Sequence, residues 1–118
     1  MPGTAGIYNG VIDQGATWTV SIVYNDYNGN PVNLTGYTAR MQLRSKFDSS
    51  AVLTLSTANG GIVITGPTGQ IAITATATQT QAIAAGIYLY DLELTSGAEI
   101  TRLIQGQLTV RENVTANV

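Results

Sequence analysis

Apolar and polar residues alternate with a period of two through most of this chain, the spacing of strands with one buried face. The stretch 37–44 shows it most clearly, with Tyr37, Ala39, Met41 and Leu43 inward and Thr38, Arg40, Gln42 and Arg44 outward. The stretch 86–95 places Tyr88, Tyr90, Leu92 and Leu94 on one face and Ile87, Leu89, Asp91, Glu93 and Thr95 on the other, and is expected to be a central strand. In 16–24, Ala16, Trp18, Val20, Ile22 and Tyr24 share a face, which predicts a core position for Trp18. Shorter strands are predicted at 7–13, 32–36, 52–56, 62–65 and 70–76, and a last one at 99–111. There Leu103 interrupts the alternation, predicting either a bulge near Arg102 and Leu103 or a strand covered on both faces.

Turn formers punctuate these segments: Gln14-Gly15, the cluster 25–31 with Asn28-Gly29, 58–61, 66–69 and Ser96-Gly97. Short strands at this regular spacing are the rhythm of a sandwich. The run 79–86 reads as one short helical turn stopped by Gly86, which feeds the chain into the central strand at a corner. Tyr88 follows that corner by two residues. Tyrosines there in Greek-key sandwiches fold the hydroxyl back onto upstream backbone, and the alternative is a core aromatic with its hydroxyl at the rim. The expected fold is all-β, an Ig-like Greek-key β-sandwich of seven to nine antiparallel strands in two sheets. One domain is expected over 7–112, between an amino-terminal arm, 1–6, and a polar tail, 113–118. The arms, with Pro2, Gly3, Thr4, Asn113, Val114 and Thr115, carry no core pattern and are available for docking.

Composition narrows the chemistry. The 118 residues suffice for one domain with a core and contain neither cysteine nor histidine, which removes disulfides, thiolate nucleophiles, Ser-His and Cys-His sets and most zinc or copper sites. Charged residues are only 10% of the chain and the net charge is −2, so no basic footprint for nucleic acid or anionic lipid is present. No apolar run reaches the ~18 residues of a membrane span, and a soluble protein is expected. The surface is therefore built from Thr, Asn, Gln and Gly, a bias tolerated best where partner subunits cover it, although an environment-facing domain could share it.

The carboxylates are Asp13, Asp26, Asp48, Asp91, Glu93, Glu99 and Glu112. Asp91 and Glu93 share one strand face and could form the acid pair of a glycosidase, which needs one carboxyl with a raised pKa. Arg40 and Arg44 on the neighbouring outward face, and Arg102 on the following strand, point instead to an arginine–carboxylate ladder. The oxygen-rich turn around Asn25, Asp26 and Asn28 has one carboxylate and no closing glutamate, unlike a calcium loop. No phosphate-binding glycine loop, nucleophile elbow or zinc-binding helix motif occurs, and neither enzymatic activity nor a cofactor is expected.

Two runs carry a resemblance: Gly29-Asn30-Pro31-Val32-Asn33-Leu34-Thr35-Gly36-Tyr37, continuing to Arg44, and Ala85-Gly86-Ile87-Tyr88-Leu89-Tyr90-Asp91-Leu92-Glu93-Leu94. With Asp13 to Trp18 before them and Thr101 to Gly106 after, they resemble small structural proteins of tailed bacteriophages, over roughly 13–111. The plan is similar to the amino-terminal Ig-like domain of phage baseplate upper proteins. Asn33 stands where that group usually has aspartate, and the stalk of those proteins has no counterpart here. The resemblance implies a stand-alone, non-enzymatic virion module. It would dock on tail, baseplate, neck or fibre through sheet edges and terminal arms, in multiple copies in a symmetric array, without nucleic acid or membrane. A capsid cement or decoration protein, bound to the major capsid protein, is the alternative within the virion. A carbohydrate-binding module using Tyr27, Tyr37 or Phe47 is the alternative outside it.

Overall fold

The computed structural model describes residues 6–26, 28–45 and 50–112. The arm residues Pro2, Gly3, Thr4, Asn113, Val114 and Thr115, together with Tyr27, Phe47 and Asp48, lie outside the described residues. In chain order the elements are β1 (Gly6–Ile7), β2 (Gly10–Asp13), β3 (Trp18–Val23), β4 (Thr38–Arg44), β5 (Leu53–Ser56), β6 (Ile62–Thr65), β7 (Gln70–Ala75), α1 (Ala77–Gln81), β8 (Gly86–Ser96) and β9 (Glu99–Arg111). A 3-10 turn at Gly66–Thr68 joins β6 to β7.

These strands form a two-sheet sandwich. The larger sheet runs β1/β2, β9, β8, β4, β5, and the smaller one β3, β7, β6. With the first strand on the β9 edge, β3, β6 and β7 in one sheet and β4, β5, β8 and β9 in the other, the strand order is Ig-like. One expectation is corrected: the strands are not all antiparallel, because β1 and β2 run parallel to β9. The predicted strand 7–13 is also broken, at Tyr8 and Asn9. The segment 32–36 is not a strand; a single bridge, Asn25 to Pro31, lies just ahead of it. Its Leu34 is nevertheless fully buried, held by its N–H to the Gly66 carbonyl at 2.8 Å. Asn33 closes the next turn, its amide oxygen accepting the Thr35 N–H at 3.0 Å and the Thr35 hydroxyl at 2.6 Å. An aspartate carboxylate would accept the same two bonds.

Ile12, Met41, Leu43, Leu55, Ile62, Ile71, Leu92, Leu94, Leu108 and Val110 fill the space between the sheets. They are the inward members of the alternating runs, so the pattern and the packing agree. Trp18, expected in the core, is only half-buried and packs against the margin of the cluster. The reason is topological: β3 is an edge strand, paired with β7 alone among the described residues.

Candidate docking surface

The corner ahead of β8 is built from short-range chemistry. Thr76 caps α1, its hydroxyl accepting the Gln79 N–H while the Gln79 side chain accepts the Thr76 N–H, a reciprocal capping box. The helix therefore begins earlier than the predicted turn at 79–86, and Ala82, not Gly86, caps it. Thr80, fully buried, accepts the Gly15 N–H at 3.1 Å, and its hydroxyl lies 2.9 Å from the Ala16 carbonyl and 3.1 Å from that of Ala77. Gln14 adds a bond from its amide nitrogen to the Ile83 carbonyl at 2.7 Å, so the corner is clamped to the β2–β3 turn. Beyond Gly86, the buried Tyr88 donates its hydroxyl to the Ala84 carbonyl at 2.6 Å.

A second tyrosine does similar work at long range. The Tyr90 hydroxyl donates to the Tyr8 carbonyl at 2.7 Å, across 82 residues of sequence. Burial, with the Tyr8 ring nearby, pushes the Tyr90 hydroxyl up to about 12. That bond fixes the break between β1 and β2, where Asn9 Oδ1 takes the Gln107 N–H at 2.9 Å in place of a strand-to-strand bond. Opposite Tyr90 stands Gly106, and a Cβ there would collide with the Tyr8 carbonyl oxygen and with Asn9 Oδ1. Glycine is what lets the broken strand cross β9 this closely.

The face of the larger sheet turned away from the core follows from the register. One row across it reads Ile7, Gln105, Asp91, Gln42, Thr54; the next on one side, Gln107, Leu89, Arg44; the next on the other, Arg102, Glu93, Arg40, Ser56. A shallow groove of about 420 Å³ runs over Leu89, Asp91, Arg102, Gln105 and Gln107. Leu103 is the extra residue of a bulge, because Ile104 faces Leu92 while Arg102 faces Glu93. The bulge swings Arg102 toward Asp91, at 3.2 Å, and leaves Arg40 beside Glu93 at 3.9 Å. Of the five residues expected in a ladder, these four form two ion pairs. Arg44 stands outside both and donates to Gln42 Oε1 at 2.6 Å.

To either side of this charged centre the face carries exposed aliphatics, with the Asp13–Arg111 pair beyond them at one end. Val11, Thr109 and Ile87 form one row, and Ile100 beside Thr95 and Thr38 another. Ile7, Ile87 and Ile100 are 75%, 63% and 63% exposed. No strand at the sandwich edges, β1, β2, β3, β5 or β6, contains a lysine or arginine, and Asp13 is the single charged residue among them. Asp13 pairs with Arg111 through two contacts of 2.7 and 3.2 Å, and that hydrogen-bonded guanidinium holds its carboxyl below the ordinary value of 3.8. Tyr37, one of three rings suited to sugar stacking, is half-buried against the core.

Known proteins add little. No protein-family model and no curated protein sequence matches the chain. Among solved structures, it is similar to a family 123 glycoside hydrolase from Clostridium perfringens, at 12% identity and a TM-score of 0.41, covering 92% of this chain. The chain spans 23% of the length of that enzyme. A likeness this slight lends nothing to the functional reading.

Several residues that shape the surface escaped the sequence. Thr80, Tyr90 and Gly106 read there as a helix threonine, a core aromatic and a strand glycine. Only the capping box, Thr76 and Gln79 at their three-residue spacing, left a local signal for the true helix start. The Asp13–Arg111 pair joins residues 98 apart and left none.

Proposed function

We propose that this chain is a non-enzymatic structural protein of a tailed-bacteriophage virion, an adaptor that docks on tail, baseplate, neck or fibre through its sheet edges and terminal arms. The observation that carries this reading is the outer face of the larger sheet, where Val11, Ile87 and Ile100 stand exposed on rigid, mutually paired strands. Exposed aliphatics at the two ends of one sheet face, either side of an ion-paired centre, fit burial against another protein surface. Edge strands without lysine point the same way, since lysine and proline are the usual guards against strand addition. The resemblance of the runs 29–44 and 85–94 to small tailed-phage proteins is the ground for placing it in a virion. Asp91 and Glu93 each face an arginine, an arrangement that serves sheet cohesion better than acid–base chemistry.

The test is a cryo-EM map of intact particles, with the sandwich fitted to head and tail density. Copies at the tail, neck or fibre root are the expected result. Copies clamping neighbouring capsid subunits would make the chain a cement protein, and absence from both sinks the virion reading. Ile87→Glu should leave the fold's thermal midpoint within a degree or two, since a surface substitution usually changes stability by less than about 0.5 kcal/mol, and should reduce incorporation into particles.

A further inference from the structure

We propose that the free edge of β3, with the apolar slot beside it, accepts residues 113–118 of a second copy of this chain as an added strand. The inference rests on the reading of the chain as one of several neighbouring copies, and it names the edge and the segment that join them. Among the described residues β3 pairs only with β7, so every second residue of Trp18–Val23 aims its N–H and C=O away from the sheet. The outward side chains Thr19, Ser21 and Val23 carry no charge, and no proline or bulge interrupts the strand. Such an edge is a template for pairing.

The slot gives the edge its specificity. A cavity of about 190 Å³ opens between the sheets along β3, walled by Trp18, Val20 and Ile22, with Tyr8 at one margin and Tyr90 and Ile104 on its floor. Native interiors are close-packed, and an apolar void of about 150 Å³ is already enough to hold a benzene ring. The void arises because β1 and β2 both pair with β9, leaving no strand among the described residues alongside β3 to close that side of the sandwich. An added strand would bond to the β3 edge and send alternate side chains into the slot.

Residues 113–118 have the matching chemistry. Val114, Ala116 and Val118 alternate with Thr115 and Asn117, a period-two run without charged side chains in which Val114, Thr115 and Val118 favour strand. It follows β9, whose end at Arg111 accepts the Gln14 N–H at 3.0 Å beside the turn into β3. At that turn β3 runs back antiparallel to β9, so the end of β9 points away from the β3 edge of the same chain. This geometry favours exchange between copies.

The chain lacks cysteine, so disulfide trapping is clean. Ser21→Cys and Thr115→Cys chains, mixed and oxidised, should give a two-chain species on a non-reducing gel. Thr115→Cys with Val63→Cys, on the opposite edge of the small sheet, should not. A Thr19→Cys partner covers a shift of register by two residues. Ser21→Lys, which adds a charge to the edge, should abolish self-association in analytical ultracentrifugation while leaving the thermal midpoint unchanged. Failure of both trapping pairs, equal trapping by Val63→Cys, or a disulfide closing within one chain of a Ser21→Cys/Thr115→Cys double variant would overturn the proposal. Trapping in protein that never enters particles would keep the strand exchange and remove the virion role. Normal incorporation of a Ser21→Lys chain that cannot be trapped would do the reverse.

Discussion

At the scale of single residues, the Tyr90 hydroxyl and the Asp13–Arg111 ion pair tie the first strand to the rest of the sandwich. Tyr90 is protonated more firmly in the folded chain than at its ordinary value of 10.0, because burial disfavours the phenolate. A group whose folded pKa is raised contributes stability that is full below the unfolded value and lost as pH rises through the folded one. The thermal midpoint should therefore fall between pH 10.0 and about 12, and Tyr90→Phe should flatten that fall. At neutral pH the same variant leaves the Tyr8 carbonyl unpaired and should cost about 1–2 kcal/mol in denaturant unfolding. Asp13 has the opposite sign. Its carboxyl is held below 3.8 by the Arg111 hydrogen bond, so its contribution is present above that value and lost as pH falls below it. The difference in melting temperature between the native chain and Asp13→Asn should narrow toward zero on acidification, and also with added salt, since the pair is exposed.

At the scale of elements, the first strand is held by a contact that only glycine permits. Gly106→Ala should push Tyr8 and Asn9 off β9 and break the Tyr90 bond. Hydrogen exchange should then accelerate at Tyr8 and Gln107, whose N–H groups bond to Gln105 and Asn9, while β4 and β8 keep their protection. Uniform acceleration throughout the sandwich would show that the first strand is not a separable unit. The corner helix offers a parallel case. Thr80→Val removes a fully buried hydroxyl that serves the backbone of Gly15 and Ala16. The expected cost is about 1–3 kcal/mol in urea unfolding, the desolvation penalty of polar groups left without a partner. The period-two pattern made the strands legible because side chains alternate faces whatever the neighbour is. It said nothing of the break at Tyr8 and Asn9, which exists only because β9 passes beneath.

At the scale of the whole molecule, the sandwich is closed along its β5–β6 side and open beside β3. The closed side is packed by Leu55 and Ile62, both almost fully buried. Leu55→Ala should cost about 2–5 kcal/mol, measured by urea unfolding, as cavities in a well-packed core do. Val20→Ala at the open side should cost less than half of that, because its side chain already borders a void. An equal loss at both would mean that the slot closes in solution. Among the described residues one side of the molecule is closed by packed aliphatics, and the other has an edge paired on one side only, with uncharged side chains beside a void.

The sequence by itself determined most of the strands, their inward residues and the turn chemistry, and marked an irregularity at Leu103, because each depends on local alternation and on residues with special backbone freedom. It also brought Asp91 and Glu93 to one face with arginines opposite, since strand register follows from the pattern. Only the tertiary structure decided which strands are edges, and with that the half-burial of Trp18, the parallel pairing of β1 and β2 with β9, and the slot beside β3. The same holds for the Tyr90–Tyr8 and Asp13–Arg111 contacts, which join residues 82 and 98 apart in the chain. Local alternation specifies which way a side chain faces, and the order of strands in a sheet specifies what lies opposite it.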